Sequence, residues 1–146
     1  MTGHLFTLTA EWPGGRNAVG TIDAGKLKTQ ISIPEEMMGP GIGTNPDEML
    51  LGAAATCYLI TLAAMLERAH IQPEKLTLTS EGLVTVVNGV FTYEKITHRP
   101  VIVLKQDASD RDITKVQKLA EKAEQTCMIS KAIRGNVEVE LHITIK

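Results

Sequence analysis

Apolar and polar positions alternate in three short runs near the start of the chain, Leu5 to Glu11, Asn17 to Asp23 and Lys26 to Ile33. The breaks between them, Pro13-Gly14-Gly15 and Ala24-Gly25, are turn sequences. This pattern predicts a three-stranded antiparallel meander with Arg16 at or just past a hairpin tip, a place from which a long cation can be projected into a neighbouring cleft. The plainer reading of Arg16 is a solvated turn residue. A Gly- and Pro-rich loop from Pro34 to Pro46 comes next.

Alternation then gives way to a helix start. Thr44-Asn45-Pro46-Asp47-Glu48 offers a capping side chain at Thr44 or Asn45, a proline for the first turn, and two carboxylates where the helix dipole favours them. The predicted helix runs to about Arg68. Its centre, Met49 to Leu66, is eighteen residues without a formal charge, long enough to cross a bilayer. Gly, Ala and Thr fill nearly half of it and no positive flank sets an orientation, which argues against a membrane span. A helix apolar on every side is otherwise buried all round. A chain of 146 residues has difficulty covering all of those faces alone, so a second copy is expected to cover part of them.

The second half predicts a long hairpin, Leu76 to Val87 and Val90 to Leu104, turning at Asn88-Gly89. His98-Arg99-Pro100 marks an expected interruption, because proline belongs at an edge or bulge. Ser109 or Asp107 caps a polar helix to about Glu124. Thr126 caps a shorter one over Cys127 to Arg134, ended by Gly135. The tail Val137 to Ile145 alternates throughout and reads as one half-buried strand. Strands, apolar helix, hairpin, two helices and strand make an α+β chain and not a βαβ ladder. Nothing divides the sequence, so residues 1–146 are read as a single domain.

Composition narrows the function classes. With 15 basic and 17 acidic side chains and a net charge of −2, and with few aromatics for stacking, the chain is a poor nucleic-acid binder. The length supports a core burying roughly 70% of the extended surface without staples. No secretory leader is evident at the start, which places the protein in the cytoplasm, where the cysteines Cys57 and Cys127 are reactive or buried thiols rather than a permanent bridge. The four histidines have no metal-ligand spacing, and neither a phosphate loop nor a Gly-x-Ser-x-Gly elbow is present, so no metal or other cofactor is expected.

The two thiols differ in setting. Cys57 lies mid-helix with Ala53, Ala54, Ile60 and Thr61 one turn away. A cysteine there is ordinarily an inert small hydrophobe, although the alanines leave room for an approaching group. Cys127 falls at the first turn of its helix, where free N–H groups and the dipole favour a thiolate. From position alone, Cys127 is the more reactive of the two.

The segment Thr44 to Cys57, TNPDEMLLGAAATC, resembles the signature of the OsmC/Ohr family of thiol peroxidases. Ala123 to Ala132, with Cys127 followed by Ile129-Ser130, resembles that family's second cysteine motif, and Gly14-Gly15-Arg16-Asn17 resembles its active-site arginine turn. The resemblance implies two antiparallel sheets with a long buried central helix, an intertwined homodimer, and reduction of organic hydroperoxides by a cysteine pair reset by a dithiol of lipoyl type. Carried over, Cys57 becomes the peroxidatic thiol, Cys127 the resolving thiol, Arg16 the activating cation and Asp47 the carboxylate orienting it. Asp47 stands where the family usually has Glu, one C–C bond or about 1.5 Å shorter, with Glu48 adjacent. Met128 stands where many members have Pro.

The chemistry is consistent with these roles. A buried Cys57 needs a neighbouring cation to ionise at neutral pH, and apolar surroundings favour alkyl or lipid hydroperoxides over hydrogen peroxide. Ten residues separate Asp47 from Cys57, about 15 Å along a continuous helix, so the two can serve one arginine only if they come from different protomers or if the helix starts well after Asp47. Other readings of the same residues are a dimeric module binding a hydrophobic ligand with silent thiols, a thiol redox sensor, or a transferase using the same nucleophile.

Overall fold

The computed structural model describes residues 2–146. The chain forms two units, residues 1–49 and 50–146. In the first, β1 (Thr9–Glu11), β2 (Gly20–Ala24) and β3 (Leu27–Ile31) make the expected antiparallel meander, in the order β1-β2-β3. β1 is shorter than the alternation suggested. Its partner β2 ends at Ala24, where Gly25 takes a positive φ of 66°, so residues before Thr9 have no strand to pair with. Leu5 and Phe6 are accordingly 93% and 91% exposed.

The Pro34 to Pro46 loop opens with one 3-10 turn, Glu35–Met37, and returns to β3 through Thr44, whose N–H donates to the Gln30 carbonyl at 2.9 Å. Gly43, at φ 70°, passes so close to that carbonyl that any side chain would collide with it. This return sets the start of α1 (Pro46–Arg68). Of the two capping candidates, Asn45 is the cap: its Oδ1 accepts the Glu48 N–H at 2.9 Å. The Thr44 hydroxyl donates to the Glu48 carboxylate at 2.8 Å, an arrangement contributing about 1 kcal/mol.

In the second unit, β4 (Lys75–Val87) and β5 (Val90–Val103) form the long hairpin. Asn88 and Gly89 both take positive φ, 52° and 76°, as a type I′ turn requires. The proline interruption is not where alternation placed it. The β4–β5 ladder runs straight through the Leu78–Pro100 pair, and its bulge lies at Leu83/Val84. The break is on the other edge of β5. There β6 (Glu138–Leu141) pairs as far as His98 and β7 (Thr144–Ile145) resumes at Val101, leaving Pro100, which has no N–H, in the gap. The tail is therefore two short strands rather than one. Both run parallel to β5, because the chain crosses back over the helices, so this sheet is mixed rather than purely antiparallel.

The crossover consists of α2 (Asp110–Thr126) and α3 (Met128–Ile133). Ser109 caps α2 in a reciprocal box with Asp112. Thr126 does not cap α3. Its hydroxyl donates back to Lys122, and Cys127 itself takes the cap position. The core joins Tyr58, Leu62 and Leu66 of α1 to Ile102, Leu104, Val116, Ala120 and Ala123, each fully buried leucine contributing about 2 kcal/mol. Ala54, Tyr58, Leu62 and Leu66 are one stripe at four-residue spacing, and they are the only buried residues of α1. Ile60 on another face is 69% exposed, so this helix, long and apolar enough to cross a membrane by composition, is buried on one side within the chain and not all round.

His98 is fully buried on β5, stacked on Tyr58 with ring centroids 5.0 Å apart and sharing a 2.7 Å hydrogen bond with Ser80, while its Nε2 has no hydrogen-bond partner among the described residues. Burial holds its pKa below 6.5. The folded protein thus binds fewer protons here than the unfolded chain, and this contribution to stability is present above pH 6.5 and lost as pH falls below it. Urea titrations between pH 5 and 7 are expected to show stability falling by up to about 1.4 kcal/mol per pH unit, with the slope reduced in His98→Phe. An equal slope in that variant would show that the acid sensitivity lies elsewhere.

Candidate active site

Cys57 sits in the middle of α1, half-buried, next in sequence to Tyr58, whose hydroxyl donates to the Ala120 carbonyl of α2 at 3.0 Å. That bond ties the cysteine-bearing turn of α1 to α2. Six residues on, α2 ends, and Cys127 is the joint: its N–H donates to Ala123 and closes α2, and its carbonyl accepts from Lys131 and opens α3. With φ −56° and ψ 127° it is itself non-helical. Arg134 braces the joint, donating to the Gln125 carbonyl at 3.1 Å. Cys127 is fully buried.

The two thiols act on each other, and they respond in opposite directions. Burial pushes the Cys57 thiol up, but the Cys127 thiol, the backbone N–H groups of Ile129 and Met128 and the Thr61 hydroxyl all donate to its sulfur, and together they hold its pKa below the ordinary value. Cys127 moves the other way. Burial raises it, and so does giving its proton to Cys57, against weaker help from Ser130 and Ile129. The lowering expected at Cys127 from its place in the chain therefore falls on Cys57 instead, helped by the amides of Met128 and Ile129 at the start of α3. The donors that lower Cys57 are neutral and all belong to residues 50–146.

Met128 has a part in this. It occupies the first position of α3, where proline is well tolerated, and it supplies an N–H to Cys57 that proline lacks. Thr61 was visible in the sequence as a neighbour of Cys57, and its spacing of four residues carried the signal, since such pairs share a helix face. The amides of Met128 and Ile129 carried no such local signal.

Arg16 lies at the tip of the β1–β2 loop, in a turn closed by the Ala18 N–H on the Gly15 carbonyl. Its guanidinium donates to the Met37 carbonyl at 2.8 Å, the Met38 carbonyl at 3.3 Å and Asn17 Oδ1 at 2.9 Å. It is thus anchored on the 3-10 turn of its own unit, and is not a free surface cation. Asp47 is the second residue of α1, which is unbroken from Pro46 through Cys57. The late-starting helix is excluded, and Asp47 and Cys57 of one chain are about 15 Å apart along the axis. Among the described residues no group of three or more His, Cys, Asp or Glu side chains is arranged to hold a metal.

Comparison with known proteins identifies the family of this fold. A family model described as OsmC-like protein matches residues 39–142. The chain is 62% identical over its whole length to YmaD, an uncharacterized protein of Bacillus subtilis, covering 97% of that protein. It is 31% identical to the organic hydroperoxide resistance protein OhrB of the same organism, over 95% of this chain and 98% of that one. A crystal structure of an organic hydroperoxide resistance protein OsmC from Legionella pneumophila is similar with a TM-score of 0.76 at 28% identity, covering 97% of this chain and 99% of that one. With the model match spanning most of the sequence and the second cysteine motif inside it, the chain belongs to the OsmC/Ohr family.

Proposed function

We propose that this protein is a cysteine peroxidase that reduces organic hydroperoxides to alcohols, with Cys57 as the attacking thiol and Cys127 as the resolving thiol. The observation that carries the reading is the opposite shift of the paired thiols, Cys57 held below the ordinary cysteine range with the help of the Cys127 thiol and Cys127 pushed above it by burial and by Cys57. The Cys57 thiolate attacks the terminal peroxide oxygen. The O–O bond breaks, the alkoxide takes a proton and leaves as the alcohol, and Cys57 becomes a sulfenic acid. Cys127 then attacks that sulfur, forming the disulfide and releasing water. An external dithiol restores both thiols by exchange, in a reducing cytoplasm.

The working unit we infer is a homodimer. The unbroken α1 separates Asp47 from Cys57, which supports a site in which Arg16 and Asp47 of one protomer serve Cys57 of the other. The exposed side of α1 and the exposed Val86, Val87, Val90 and Phe91 at the hairpin tip are apolar surface of the kind a second copy covers. In that site Arg16 stabilises charge on the thiolate and on the departing alkoxide.

The test is to count free thiols after adding one equivalent of tert-butyl hydroperoxide, and to follow peroxide consumption with dithiothreitol present. Both thiols should disappear together, and consumption should continue for many turnovers. Arg16→Met should slow oxidation of Cys57 by about 10²-fold. Two intact thiols after exposure would sink the proposal, and oxidation without sustained turnover would point to a sensor instead.

A further inference from the structure

Ser130 follows Cys127 by three residues in α3. It is 1% exposed, and its hydroxyl has no hydrogen-bond partner among the described residues. A buried hydroxyl left in this state is costly, since alanine would fill nearly the same space without the desolvation. Ser130 is the third residue of α3 and Cys127 its cap, so the two buried side chains share the first turn, and Ser130 is among the groups that lower the Cys127 thiol. Resting on the peroxidase reading above, we propose that Ser130 is a catalytic residue of the second half-reaction, its hydroxyl donating a hydrogen bond to the Cys127 sulfur as that sulfur attacks oxidised Cys57.

The need arises from the first step. In the reduced protein Cys127 is the thiol pushed upward and Cys57 the one it helps to lower. Once Cys57 carries an oxygen it is no longer an anion, and Cys127 has to become the nucleophile in a buried place that penalises charge. A donor already beside it, and not committed elsewhere, offsets that penalty without rearrangement. In the step itself the S–S bond forms, the S–O bond of the sulfenic acid breaks, and the Cys127 proton leaves with the departing hydroxide as water. Ser130 keeps its own proton.

The two half-reactions are separable with 2,2′-dithiodipyridine, which needs no peroxide. Attack by Cys57 releases one pyridine-2-thione and leaves a mixed disulfide, and attack by Cys127 on that disulfide releases the second. In Ser130→Ala the first release should stay within about twofold of wild type. The second should slow by about tenfold, equivalent to one lost donor, with its pH profile moved to higher pH, and Ser130→Thr should restore it. Ser130→Ala should also melt at the same or a higher temperature than wild type, the opposite of what a packing role demands. A second release at the wild-type rate and pH profile overturns the proposal, as do two releases slowed together with a lower Tm. If both releases behave as stated but tert-butyl hydroperoxide leaves the thiols untouched, the peroxidase reading fails while the role of Ser130 in sulfur–sulfur bond formation stands. A wild type that releases no thione overturns both.

Discussion

Cys57→Ser is expected to abolish consumption of alkyl hydroperoxide, by 10³-fold or more, while leaving the fold intact. A serine hydroxyl fits the same half-buried turn of α1, and the donors around it, Cys127, Thr61 and the two amides, remain. They cannot bring an alcohol within reach of ionisation at neutral pH, however, and thiolate is the nucleophile toward peroxide. The measurement is peroxide loss with a dithiol present, together with circular dichroism to show that α1 persists. Residual turnover above about a tenth of wild type would mean that the reacting sulfur is elsewhere, with Cys127 as the remaining candidate.

The second large effect is on Cys127, and here two substitutions separate two duties. Cys127→Ala and Cys127→Ser both remove the resolving sulfur, so each should give one turnover per subunit and then stop. Cys57 would go on to sulfinic acid under excess peroxide, visible as a mass gain of two oxygens. Only alanine also removes the donor that helps hold Cys57 low. Its loss, on the order of 1 kcal/mol, should move the pH profile of Cys57 alkylation upward and slow alkylation at neutral pH by about fivefold. The serine variant, which keeps a hydroxyl donor, should stay nearer wild type. Matching alkylation profiles for alanine, serine and wild type would show that the thiol contact does nothing for Cys57. Sustained turnover in either variant would remove Cys127 from the cycle.

The parts of this protein that could be read from sequence are those decided locally. The Asn88-Gly89 turn requires two positive φ angles and has the residues that accept them, and the α1 start has its cap, proline and carboxylates in consecutive positions. The signals that failed were those whose partner lies far along the chain. Pro100 announced a missing N–H correctly, but nothing near it said which edge of β5 would tolerate the loss, because β6 and β7 come some forty residues later.

The same limit explains why the pKa lowering expected at Cys127 falls on Cys57. Cys127 was placed inside the first turn of α3 and credited with its amides, whereas the helix begins one residue later and Cys127 is the cap. A shift of one position turned the N–H groups of Met128 and Ile129 onto a sulfur seventy residues earlier. The cysteines themselves were legible as the chemistry to examine. The direction of proton sharing between them was not, since it depends on which sulfur lies deeper and which receives more donors.

Cys127 connects two helices instead of riding within one, and this bears on how the molecule ages. A sulfur fixed mid-helix would have to tear backbone hydrogen bonds each time it was pulled toward a partner. At a joint the same displacement is a swivel of the six residues that follow, with Val116, Ala120 and Ala123 still packed beneath. Repeated oxidation and reduction would then fatigue nothing in the core, and the number of cycles one copy survives would be set by stray over-oxidation of Cys57 and not by wear of the fold.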